Sequence, residues 1–181
     1  MLSLLSVGLA GVLTFVDPAV PAASPASTVS PAHYLLLNAP DRRVRATDPR
    51  LQALVAEGLN RSRTFASLVT AVNRTDVIVY IESVLSLPKN TMGRLSMMQR
   101  TGGFRYLRVQ IKSDLSRREA IALIGHELQH ALEIAEAADV RDTTSLIRLY
   151  QRIGHASSGE HAYDTDAAQD TGRVVRKELV S

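Results

Sequence analysis

The sequence predicts an α+β fold in which a small, mainly antiparallel three-stranded sheet packs on one long helix, with further helices N-terminal and C-terminal to that core. Three observations carry this expectation. The run from Ser116 to Glu136 is rich in helix formers and free of proline. It opens with Ser116 and, three residues on, Glu119, a capping box that satisfies orphan amides at a helix start. Residues 76–84 (DVIVYIESV) are β-branched and bounded by turn formers, as strands are. Leu95 to Arg100, Thr101 to Gly103 and Phe104 to Lys112 read as a β-hairpin, in which Tyr106, Arg108 and Gln110 alternate with Leu107, Val109 and Ile111.

The remaining elements follow from caps and spacing. Asp48-Pro49 starts a helix in which Leu51, Leu54, Val55 and Leu59 recur at helical spacing, and Ser62 or Arg63 opens a second through Phe65, Leu68, Val69 and Val72. Pro88, Asn90 and Gly93 mark a loop. Asp142 or Thr143 caps a short helix that Gly154 stops, residues 155–163 form a polar loop, and residues 164–180 form a last helix with acids first and bases last.

With 181 residues, 45% of them hydrophobic and 22% charged, the chain suits one domain with a proper core. Residues 2–16 are apolar and uncharged, closed by Asp17-Pro18, and too short for the ~20 residues of a spanning helix. They read as a signal peptide over residues 1–23, although no Lys or Arg precedes them. An Ala/Pro/Ser-rich linker over 24–40 and a folded domain over 41–181 follow. The expected product is secreted or periplasmic, with no stable membrane insertion once the signal is removed.

Lys and Arg number 21 against 18 Asp and Glu, a formal charge of +3, yet they are scattered, and aromatics make up only 4%. A nucleic-acid groove would cluster basic residues among stacking aromatics, so nucleic acid is not an expected partner and the Arg excess reads as solvated surface. The absence of cysteine excludes disulfides and thiolate metal sites.

The long helix contains His126-Glu127-Leu128-Gln129-His130. Residues four apart on a helix stack roughly 6 Å apart, so both imidazoles can converge on one zinc at about 2.0 to 2.1 Å. Glu127, about 100° further round, then lies beside the metal, where a carboxylate can move a proton from an activated water to a leaving amine. Ile121, Ile124, Leu128, Ala131 and Ala135 make a core stripe away from the histidines, while Leu123 and Ile134 leave the histidine side partly apolar. Two satisfied core histidines are the plainer reading, and the motif in its helical context favours the metal.

A catalytic zinc takes three protein ligands and an open position. Glu136 lies about 9 Å along the axis from His130 and points elsewhere. Glu133, one turn on, can lean back toward His130 as an outer carboxylate. The third ligand is therefore sought among Glu160, His161, Asp164 and Asp166, where a loop meets the last helix. Asp164 leads, with a plain helix N-cap as its alternative role. Tyr163, His161 and His155 are candidate donors to an oxyanion.

Residues 116–136 resemble the active-site helix of the zincin metallopeptidases. That resemblance implies His126 and His130 as ligands of Zn2+ and Glu127 as general base. Metzincins carry Gly and His at the third and sixth positions after the second His; here Glu133 and Glu136 stand there, which excludes that branch. Gluzincins take a carboxylate from a separate downstream helix, a layout this chain is similar to, though their ligand is Glu and the leading candidate here is Asp164. The chain also resembles small secreted bacterial proteins that carry such a helix. The implied function is zinc-dependent hydrolysis of a peptide or protein substrate by a zincin-like domain; either an edge strand of the sheet receives an extended peptide, or the hairpin serves only as the sheet covering the helix. A non-catalytic zinc-stabilised or peptide-binding module is the alternative.

Overall fold

Short polar side chains set the helix starts. In a computed structural model describing residues 42–88, 91–156 and 163–180, helix α1 (Pro49–Arg61) begins where the Asp48 carboxylate accepts from the Leu51 amide, with proline in the first turn. Ser62 ends α1 and caps α2 (Arg63–Val72) by accepting from Phe65. The expected signal peptide and linker, and the candidates Glu160 and His161, lie outside the described residues. No helix among the described residues is long and apolar enough to cross a membrane.

The fold is α+β, and its main sheet differs from the expected one. Four strands, β1 (Val44–Ala46), β2 (Val77–Val84), β3 (Gly93–Thr101) and β4 (Phe104–Lys112), lie in the order β1-β2-β4-β3. Only β3 and β4 are antiparallel; β1 with β2 and β2 with β4 are parallel. The expected three-stranded, mainly antiparallel sheet is thus a four-stranded mixed one. Between β1 and β2 run α1 and α2, the kind of crossover that parallel pairing requires. The hairpin turns at Gly102 and Gly103, both at positive φ (56° and 81°), as a tight primed turn demands. It docks with β4 inward because Leu107, Val109 and Ile111 are fully buried. Strand β3, bearing Arg94, Ser96, Gln99 and Arg100, is left at the edge.

Helix α3 (Arg117–Glu136) runs back over the sheet behind the capping box of Ser116 and Glu119. Ala120, Ile121, Ile124, Leu128, Ala131 and Ile134 are all fully buried. The far side of α3 is covered by α5 (Asp166–Glu178), whose end is tied to the start of α2 where Ser62 and Thr64 donate to the Glu178 carboxylate. Helix α4 (Thr143–Ile153) follows α3. Two short strands, β5 (His155–Ala156) and β6 (Tyr163–Asp164), pair antiparallel where a loop was expected, and α5 starts two residues later than its expected start at Asp164.

One arginine departs from the solvated-surface expectation. Arg105, only 3% exposed, lies under the C-terminus of α3. Its guanidinium donates to the carbonyls of Ile134 (2.6 Å), Ala135 (3.0 Å) and Ala137 (2.7 Å) and makes a two-pronged pair with Asp76 (2.6 and 2.9 Å). The last turn of α3 has no basic residue of its own, so a strand residue supplies the positive charge its carbonyls attract.

Arg105→Met should cost about 3 kcal/mol, because it strips carbonyls and a carboxylate of a buried charged donor, read as a lower midpoint in urea. The Asp76 carboxyl is held below its ordinary value of 3.8 mainly by its hydrogen bonds from Arg105. A lowered carboxylate stabilises the fold fully above its unfolded value and loses that contribution as pH falls through the folded value. Asp76→Asn should therefore flatten the acid limb of the stability profile below about pH 4.

Candidate metal centre

Two turns of α3 place His126, Glu127, His130 and Glu133 within reach of β6 and the start of α5. The deciding contact is with Asp164, the last residue of β6. Its Oδ1 lies 3.4 Å from His126 Nε2 and 3.5 Å from His130 Nε2. One donor atom from each of the three falls within 4.8 Å of the others, so the group can hold a metal ion.

What surrounds the group fits that use. His130 Nδ1 lies 2.8 Å from Glu133 Oε2, and the other Glu133 oxygen accepts from the Thr165 hydroxyl at 2.7 Å. The Ala168 backbone on α5 favours the charged form of His126, against the larger effects of burial and of His130. The His130 ring is thus held from behind by an acceptor at Nδ1, the arrangement that puts the proton on Nδ1 and aims the Nε2 lone pair at a metal. The second Asp164 oxygen accepts from Gln169 Nε2 at 3.0 Å, which leaves Oδ1 toward the histidines. The Tyr150 ring stands edge-on to His130, 5.2 Å between centroids, and its hydroxyl donates to the His130 carbonyl.

Asp164 is free for this role because it does not cap α5. Thr165 does, accepting from the Ala168 amide while donating to Glu133. Asp166 is exposed in the first turn of α5 and outside the cluster. Glu136 is likewise outside it. Tyr163 takes its hydrogen bond from Gln151, and His155, the cross-strand partner of Asp164, is exposed with Nε2 3.3 Å from Gln169 Nε2. Neither contacts Glu127 among the described residues.

Charge in the centre is unbalanced without a cation. Burial pushes the Glu127 carboxyl up to about 7, with the negative charge of Asp164 adding to the rise and His130 opposing it. Burial also works against the charge on His130, but hydrogen bonds and attraction from Asp164, Glu133 and Glu127 lift it to about 9. Asp164 falls to about 2 because the two histidines outweigh its own burial. His126 is lowered by burial and by the charge of His130. Three carboxyl groups lie around the two imidazoles, and a divalent ion taking the place of the His130 proton would add positive charge there.

Helix and strand come unusually close at two glycines. A Cβ on Gly93, the first residue of β3, would lie 2.9 Å from Glu127 Oε1 and 2.9 Å from Leu123, so only glycine leaves that carboxylate where it stands. A Cβ on Gly172 of α5 would come within 3.3 Å of His126 Cβ. Neither glycine is marked by a local motif; nor is Gln169. Thr165 takes the N-cap that the sequence offers to Asp164.

Glu133→Gln should weaken binding of a divalent ion about 10-fold to 100-fold by loosening His130, as losses behind a ligating imidazole do. Titration calorimetry with zinc reads this; an unchanged Kd would mean that Glu133 holds no ligand in place.

No protein-family model, curated protein or solved structure matches this chain, and what the centre does must be read from its geometry.

Proposed function

We propose that the chain is a secreted or periplasmic zinc-dependent metallopeptidase with a zincin-like core. The observation that supports it most is the convergence of His126 Nε2, His130 Nε2 and Asp164 Oδ1 next to a buried Glu127 lifted to about 7. Two imidazoles and a carboxylate are a donor set that zinc accepts. Zinc bound there would supply Lewis-acid activation of water and of the scissile carbonyl. Glu127 would do the proton work: a buried carboxylate beside the metal can take a proton from the attacking water and return it to the leaving amine. Its burial beside Gly93 fixes its position, Glu133 holds His130 and Gln169 holds Asp164.

Strand β3 gives the substrate a place. Its outer edge has no strand partner among the described residues, and it starts at Gly93, against Glu127. An extended peptide adding to that edge as another strand brings its backbone alongside the carboxylate that would act on it.

Glu127→Gln should retain zinc and lower kcat at least about 100-fold on any cleaved peptide; retained turnover would refute the general-base role. Gly93→Ala should keep zinc as well and lower kcat about tenfold by displacing Glu127. A non-catalytic zinc-stabilised module would instead lose nothing measurable in either variant, having no turnover to lose.

A further inference from the structure

We infer that the surface beside β3 selects extended peptides whose side chains alternate between acidic and apolar. The inference rests on the proposed placing of substrate along β3 and adds which side chains that substrate carries.

A strand added to β3 shares its two faces, each side chain lying beside its cross-strand neighbour. Register with β4 fixes those faces: Arg94, Ser96 and Gln99 oppose Gln110, Arg108 and Tyr106, while Gly93, Leu95 and Met97 oppose the buried Ile111, Val109 and Leu107. The second face is apolar, since Leu95, Met97 and Leu123 of α3 all pack against the core. Side chains of the added strand that point there are best apolar.

The first face is cationic. On it Lys112 pairs with Asp114, and Arg108 lies 3.5 Å from Glu82 with its buried Nε lacking a hydrogen-bond partner. Exposed Arg94 has no acidic partner among the described residues; it donates to the neutral Gln110 side chain at 2.6 Å. Strand β3 carries no Asp or Glu, and its other arginine, Arg100, opposes the buried Arg105 at the far end of the second face. A carboxylate on the added strand at the position beside Arg94 gains an ion pair, and a lysine there meets a like charge.

The test is fluorescence anisotropy on the full chain bearing Glu127→Gln, with short labelled peptides of alternating Glu/Leu, Gln/Leu and Lys/Leu. The Glu/Leu peptide should bind at least about fivefold more tightly than the Lys/Leu peptide at low salt, and Arg94→Glu should reverse the order. Equal binding of all three, no measurable binding of any, or an order unchanged by Arg94→Glu would overturn the inference. Turnover by the unmutated chain supplied with zinc separates the two readings. Cleavage of all three peptides at equal kcat/KM would remove the acidic preference and leave the peptidase. An intact binding preference without cleavage would remove the peptidase and leave the surface.

Discussion

Helix α3 has to carry four ionisable side chains, His126, Glu127, His130 and Glu133, into a place that is nearly dry. Glu127 and His130 are 4% and 5% exposed. Burying such groups without partners costs several kcal/mol each, and much of the surrounding structure answers that cost. Thr165 and Asp164 come from the β6–α5 junction, and Tyr150 from α4. Glu127 is the exception, with its rise toward 7 as the consequence. A group kept both buried and near neutrality is costly for stability and suited to moving protons.

The position of α3 is fixed at both ends by separate devices. Ser116 and Glu119 close the N-terminus locally, whereas Arg105 reaches the C-terminus from β4 and ties it to Asp76 before β2. The sheet and helix α3 are therefore joined by a buried ion pair as well as by apolar packing. On the opposite side Gly172 lets α5 approach α3 closely at His126 Cβ, near the Asp164 carboxylate that faces both imidazoles. Glu178 fastens the other end of α5 to α2. Asp164 is aimed from a two-residue strand, and its aim depends on these distant attachments.

Local chemistry made the helices legible. Asp48-Pro49, Ser62, Ser116 with Glu119, and Asp142 each cap the helix their side chains suggest, because capping is decided within one turn. The hairpin was legible for the same reason at Gly102-Gly103. Sheet order was not: the three residues of β1 are too few to show alternation, and the parallel pairing of β2 with β4 is decided by which hairpin strand has the more apolar face. The histidine pair could be read from four-residue spacing. Selecting Asp164 over Asp166 depends on Thr165 taking the cap, a choice between adjacent residues that only the packing of Glu133 against Thr165 resolves. Gly93 sits 34 positions before Glu127 (127 minus 93), and nothing local ties the two together.

The most direct test of this account is the zinc stoichiometry of the purified full chain after exposure to zinc and exhaustive dialysis, measured by elemental analysis beside Asp164→Ala. The account predicts one zinc per chain, bound by His126, His130 and Asp164, and loss of most of it in the variant. No retained zinc in the unmutated chain, or zinc retained equally well without Asp164, would contradict it.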